Sequence, residues 1–559
     1  MKSRKPEANM GTASTLADFL SWGVSNYPSE RMGLILWDHG SGSINGVCFD
    51  EQYDYDSLTL GELDHALNQV YDQMTDRFEF IGFDACLMST LETANVLTPY
   101  ARYMYASQEM EPGSGWDYTS LLNNLAANPD QDGAQLGEKV CREYYDHCAD
   151  YGFGSQRSAT FSIIDLSKID DVLISMNEAF RVVYEQGDLG DVTRAVLEAD
   201  SFGGNSVSEG YSNMLDLGNM LDQLSGYGQE VRDASQTLQS CILYTMNGRL
   251  HKNASGLSVY YPVSIQGSEE LKIFSRICPS NYYYALIDKI AYGAENGSAA
   301  DYDNSTLLSD MADINEWLGE ESGFTGDVST NAGEFADIEI GQMGVSDIYF
   351  DEDGIYTVSF DNMDELAYAC CSVGMDDDAD GFFYLGTTEE VIYDIDRNCV
   401  TDNFDGSWPC INDNLLALEL VNTTDSCSIY TCNVLLNDEV ETNLRIEYDW
   451  EYDEWSVIGI WDGIDEETGM ASREVYELQD GDVITPAYYW FSVDDDEDWY
   501  YGDDIVVDGD LEITYEYLPE GVYYYCFELH DIYGNVYYTP FTLQYVDEDG
   551  EVWVDGEFY

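Results

Sequence analysis

Positive charge is what this 559-residue chain has least of: 21 Lys and Arg stand against 109 Asp and Glu, for a net charge of −88. A surface so acidic repels nucleic acid and anionic membrane, and it attracts cations and basic polypeptides. Long apolar runs are missing too. No stretch reaches the roughly 18 apolar residues of a membrane-spanning helix, and the amino-terminal MKSRKPEANMG lacks the apolar segment of a signal peptide. The 13 cysteines include no recurring Cys-x-x-Cys pair of zinc-site spacing. Their odd number leaves at least one outside any internal disulfide, although the group from Cys370 to Cys526 has the numbers to form some in an oxidising compartment. His65, His147, His251 and His530 show no metal-ligand spacing, and no phosphate-binding or dinucleotide-binding glycine motif occurs.

What remains is a chain that is 44% hydrophobic, enough for packed cores, and long enough for two or three domains. Residues 14–27 carry apolar side chains at helical spacing. MGLILWD then reads as a buried strand, TLGELDHALNQVYDQM as a helix opened by a Thr59–Glu62 capping box, and EFIGFDA as a second buried strand. A helix over LMSTLETANVL, a strand over YMYASQE, a helix near 133–150, a strand over 160–166, a helix over 167–186, helices through 212–246 and a strand over 256–262 continue the rhythm. That alternation predicts βαβ units around a mainly parallel sheet with flanking helices, closed by a helix at 279–293. Residues 294–345 are rich in Gly, Ser, Asn and Asp around a short helix at 305–318, which suits a linker. From 346 to 559 short alternating segments such as SIYTCNVLL, NLRIEYDW and VYYYCFEL, set off by Asp-Gly turns, predict an antiparallel all-β, sandwich-like region of one or two modules.

Two apolar strands end abruptly in reactive side chains: LILWDHGSG in His39, FIGFDACLMST in Cys86. Parallel strands deliver their carboxyl ends to one sheet edge, where α/β proteins place their sites. There a His activates a thiol or protonates a leaving amine, and the backbone N–H groups of Gly40 and Cys86 are candidates to hold an oxyanion. A helix starting directly after Cys86 would favour the thiolate through its dipole. An acidic loop, DDDADG, sets Asp376, Asp378 and Asp380 at calcium-loop spacing, but position twelve is Thr387 rather than Glu, so a solvated turn is the simpler reading.

LILWDHGSG, FIGFDACLMSTLETA and ASQEMEPGSGWDY together resemble the clostripain family of cysteine endopeptidases, whose caspase-like fold is shared with gingipains, legumains and separases. The resemblance covers about 7–290; a looser one extends to WDGIDEETGMASREVYELQDGDVITP. It implies that Cys86 is the nucleophile, His39 its dyad partner and Asp84 the acid of the specificity pocket, so that polypeptides are cut after Arg or Lys. It further implies that Ser107, Gln108 and Glu109 lie along the substrate backbone as an extended strand. A second pocket acid is either Glu111 or Asp117. No cofactor is required. A secreted or cell-surface location is expected, and because the usual first strand and export signal are missing, the expectation is a chain that begins inside a longer one. Relatives mature by a cut at a basic residue between the His and Cys segments, but residues 40–76 contain no Lys or Arg. The rival reading is a catalytically impaired binding or adhesion protein on a peptidase scaffold.

Overall fold

The computed structural model describes residues 8–149, 153–206, 208–264, 268–296, 343–351, 354–377, 381–423, 427–465, 468–472, 475–492, 497–509, 511–532, 535–547 and 552–559. The expected linker helix at 305–318 lies outside the described residues, as do Asp378 and Asp380.

Five strands make the central sheet of the first half, in the order β1 (Gly33–Trp37), β2 (Phe78–Asp84), β3 (Ala101–Ala106), β4 (Thr160–Asp165) and β5 (Ile242–Asn247). β1, β2 and β3 run parallel, as the apolar runs predict. β4 is antiparallel to β3 and β5 antiparallel to β4, so the mainly parallel expectation holds only for the half that carries His39 and Cys86. The crossovers are helices Leu60–Tyr71 and Leu91–Leu97. The first opens on the predicted capping box: the Glu62 N–H donates to the Thr59 hydroxyl at 3.3 Å, and the Thr59 N–H to the Glu62 carboxylate at 3.2 Å. One apolar core, including Leu63, Leu67, Phe83, Leu91 and Met104, joins these helices to the sheet.

Where helices were expected through 212–246, the helices are Leu217–Gln223 and Gln229–Cys241, and the chain from Ile242 onward is β5. An edge strand with every side chain at least partly exposed offers no alternating apolar signal. The expected strand at 256–262 is Ser258–Tyr260, which belongs to a separate three-stranded sheet with Met214–Asp216 and Ser201–Phe202.

From Val345 onward the described chain is all strand and loop apart from short 3-10 turns. Its largest sheet has 14 strands and is built around β6 (Leu366–Asp376) paired antiparallel with β7 (Gly521–Asp531). Two further sheets of four and three strands accompany it, and two apolar cores fill the layers. The two halves are riveted by arginines. Arg249 pairs with Glu447 and Asp449, and Arg194 Nη1 donates to the carbonyls of Asp364 and Leu366, each at 3.2 Å. All 13 cysteines are free thiols, so the disulfides allowed for in the second half are not formed. Among the described residues no helix is long and apolar enough to cross a membrane.

Candidate active site

In the β1–β2 register Trp37 is the partner of Asp84. His39 and Cys86 each lie two residues beyond that pair, so both emerge at the same carboxyl edge of the sheet. Their backbones are pressed together. A Cβ on Gly40 would fall 2.3 Å from the Cys86 carbonyl oxygen, so only glycine fits beside the thiol's own peptide.

The helix after Cys86 begins later than its sequence suggests. It runs Leu91–Leu97, with the Thr90 hydroxyl capping the Thr93 N–H. Cys86 instead occupies a turn, and Leu87, next in line, is held at φ +62° with its side chain fully buried. A branched residue in the left-handed region is strained, and that strain sits beside the thiol. The thiol is held by the chain that follows β3: the Glu111 N–H donates to Cys86 Sγ at 3.2 Å. The thiol in turn reaches the Glu111 carbonyl oxygen at 3.7 Å, so one residue of that segment holds the sulfur through both its backbone groups.

The thiol does not face open solvent, while His39 is half-buried. Cys86 is 0% exposed and packs with Leu87, Met110, Phe202 and Ala254 against Trp461, Ile464 and Ala471 of the β region. The last three belong to a hairpin whose described residues are 461–465 and 468–472, pinned by an Ile464–Ala471 bridge and by the Ser472 N–H bonded to the Gly463 carbonyl at 3.0 Å. The Ala471 carbonyl takes a hydrogen bond from His39 Nδ1 at 2.9 Å. Because a carbonyl only accepts, that contact places a proton on Nδ1 and leaves Nε2 as the ring nitrogen free to exchange a proton.

The hairpin is clasped at its base. Arg445 Nε and Nη2 donate to the two oxygens of Glu209 at 2.9 and 2.7 Å, and Nη2 also donates to the Gly203 carbonyl at 2.8 Å. The guanidinium lies 4.4 Å from the centre of the Trp461 ring. The Glu209 carbonyl in turn accepts the Ile464 N–H at 2.8 Å. This cover comes from the described residues of the run WDGIDEETGMAS, which the sequence singles out for its likeness to relatives but not for this position.

A family profile described as Peptidase_C11: Clostripain family matches residues 1–296, more than half of the 559. The chain belongs to the clostripain family. Clostripain of Hathewaya histolytica is 29% identical over 158 residues, a match covering 24% of this chain and 29% of that protein, so the chain spans less than a third of the curated relative's length. Among solved structures, it is similar to a secreted C11 cysteine protease from Bacteroides thetaiotaomicron in complex with an irreversible peptide inhibitor (18% identity, TM-score 0.38, covering 50% of this chain and 78% of that one). It is also similar to an inactive zymogen C11 protease from Parabacteroides distasonis (16% identity, TM-score 0.38, covering 51% and 79%).

In this member of the clostripain family Asp84 is fully buried beneath the loop 113–118. Its Oδ2 accepts from the Tyr118 hydroxyl at 2.8 Å and the Trp116 N–H at 3.3 Å, and a Cβ on Gly115 would lie 2.4 Å from Oδ1. The extended strand expected at Ser107, Gln108 and Glu109 is not there: β3 ends at Ala106 and the next residues bend into the interior. Polar side chains pull them in. Ser107 Oγ contacts Thr160 Oγ1 at 2.9 Å, and Gln108 Nε2 donates to Asp216 at 3.0 Å. Glu109 pairs with His251 Nε2 at 3.2 Å, while His251 Nδ1 meets Asp200 at 2.9 Å. Burial works against the His251 charge, but Asp200 and Glu109 outweigh it and hold its pKa well above the ordinary histidine value.

Of the two acids left open, Asp117 caps helix Tyr118–Ala127 through the Ser120 N–H at 3.0 Å, and that backbone bond lowers its pKa. Glu111 is fully buried with its N–H on the Cys86 sulfur. Asp376 ends β6, far along the chain from the thiol.

Proposed function

We propose that this chain is a cysteine endopeptidase that cuts polypeptides after Arg or Lys and that the conformation described is its closed, latent form. The observation carrying this reading is the β1–β2 register, which delivers His39 and Cys86 to one sheet edge at equal distance past a paired position. In the reaction, the Cys86 thiolate adds to the scissile carbonyl, and the N–H groups of Gly40 and Cys86 hold the developing oxyanion. His39, protonated at Nε2 by the departing thiol proton, returns that proton to the leaving amine. Water, deprotonated by the same nitrogen, then hydrolyses the thioester and frees the second product. A thiol and an imidazole suffice, and no cofactor enters. Specificity comes from Asp84, the carboxylate two residues before the nucleophile, whose charge matches a guanidinium or ammonium. The acidic surface enriches basic substrates in an extracellular setting. Substrate enters only after the 461–472 hairpin lifts, because Cys86 has no exposure beneath it.

The test is hydrolysis of fluorogenic Arg and Lys peptides by the full chain and by a variant whose hairpin clasp is loosened. The reading expects turnover that appears on loosening, vanishes in Cys86→Ala, and loses its preference for basic residues in Asp84→Asn. A binding protein on a dead scaffold would show no thiol-dependent turnover in any of these.

A further inference from the structure

A second cluster of reactive side chains lies in the β region, outside the peptidase cleft. β6 and β7 pair with Tyr368 opposite His530, Cys370 opposite Glu528 and Ser372 opposite Cys526. Alternation sends Ala369, Cys371 and Val373, with Tyr525, Phe527 and Leu529, into an apolar core. The opposite face is partly open: Cys370 is buried, Glu528 and His530 are half-buried and Tyr368 is exposed. It lines a cavity of about 980 Å³ bounded by Tyr211 of the peptidase half and by aromatic side chains such as Phe382, Tyr384 and Trp499. A sheet face against which other elements pack is ordinarily rich in apolar side chains. Here it carries a thiol, a carboxylate and an imidazole side by side.

We propose that Cys370, Glu528 and His530 form a binding site for a divalent transition-metal ion of the zinc and cobalt class. Their ligand atoms all lie within 4.8 Å of one another, so one ion can reach all three with modest side-chain rotation. The backbone enforces this grouping. Glu528 and His530 are two residues apart on one strand and share a face, while Cys370 is the direct cross-strand partner of Glu528. Two of the three ligands are also oriented from behind. The Ser372 hydroxyl donates to Glu528 Oε2 at 3.0 Å, and His530 is stacked on Tyr368 with ring centres 4.0 Å apart and planes 14° from parallel. Such outer contacts are what hold metal-binding groups in place. A bond between His530 Nε2 and Glu528 Oε1 at 2.7 Å closes the set until an ion takes it up.

The donor set selects the class of ion. One sulfur, one nitrogen and one carboxylate oxygen suit zinc or cobalt and are too soft for calcium or magnesium. Three protein ligands leave a fourth tetrahedral position open, and here it faces the cavity. The lining includes two more carboxylates, Glu389 and Glu419, and neither Lys nor Arg, so nothing cationic competes for the place. Binding releases the Cys370 proton to solvent and forms a metal–thiolate bond with no change of oxidation state.

Cobalt(II) titration of the chelator-treated full chain tests this. The expected result is one ion per chain with a thiolate-to-cobalt charge-transfer band and tetrahedral ligand-field bands, displaced by zinc. Cys370→Ser should abolish the charge-transfer band, and Cys48→Ser, which alters the partly exposed thiol near the peptidase cleft, should leave it unchanged. Ser372→Ala, which keeps all three ligands, should weaken binding by about 10–100-fold. Far-ultraviolet circular dichroism verifies that each variant is folded, and His530→Gln replaces Cys370→Ser if that chain does not fold. No charge-transfer band in the native chain, or a band that survives loss of Cys370 or His530, overturns the proposal.

Discussion

Replacing Arg445 by Met should unlatch the active site without unfolding the protein. The methionine keeps the apolar stem against Trp461 but removes three hydrogen bonds and leaves Glu209, 0% exposed, without its guanidinium. Breaking a buried pair from one side costs about 3–5 kcal/mol, because the remaining charge stays desolvated. Lifting the hairpin lets water reach Glu209, so the cost falls on the closed state rather than the open one. At ~1.4 kcal/mol per factor of ten, the open population should rise by roughly two to three and a half orders of magnitude. The assay is the rate of Cys86 alkylation by iodoacetamide, read by peptide mass spectrometry under native conditions. Cys141 and Cys278, both 0% exposed and remote from the hairpin, report global opening in the same sample. Faster labelling at Cys86 alone supports the latch. An unchanged Cys86 rate, or one that rises only in step with Cys141 and Cys278, would refute the reasoning.

Gly40→Ala forces a methyl group to 2.3 Å from the Cys86 carbonyl oxygen, which is backbone and cannot rotate away. A penalty of about 1–3 kcal/mol is expected, read as a lowered melting temperature together with loss of peptidase activity; an unshifted melting curve would show that this approach is not tight. The His251 charge makes a pH prediction. Its folded pKa lies well above the usual histidine value, so its stabilisation is complete below about pH 6.5 and is lost as pH rises through the folded pKa. Thermal melts should therefore fall toward alkaline pH, with a shallower fall in His251→Gln; equal slopes would remove His251 from the account.

The chemistry-bearing strands were legible because burial writes itself into sequence: β1 and β2 are apolar runs that end where the chain leaves the sheet. Thr59–Glu62 was legible because a cap is a local contract among four residues. What failed was decided at a distance. β5 is a half-exposed edge strand recruited by β4, and nothing within Ile242–Asn247 announces that partner. The delay before the helix at Leu91 rests on the positive φ of Leu87, a conformation its side chain does not favour. The strand expected through Glu109 stops at Ala106 because Thr160, Asp216 and His251, all distant in sequence, capture its polar side chains. Cys370 and His530 looked unconnected for the same reason: 160 residues separate a pair that the β6–β7 register sets side by side.

The scarcity of cations changes what each arginine at the seam means. Arg157, Arg194 and Arg249 reach from the peptidase half to the β region, and Arg445 reaches back. With 109 acidic side chains distributed over the chain, like charges on the two bodies repel at long range, and these few contacts oppose that repulsion together with the apolar packing under the hairpin. Association of the halves is therefore a balance set by the medium as much as by fit. Dilute buffer stretches the repulsion over a Debye length of about 30 Å at 0.01 M, whereas physiological salt confines it to about 8 Å and spares the buried Arg445 pair. Moderate ionic strength should hold the molecule shut and low ionic strength should ease it apart, the reverse of what surface salt bridges alone would do.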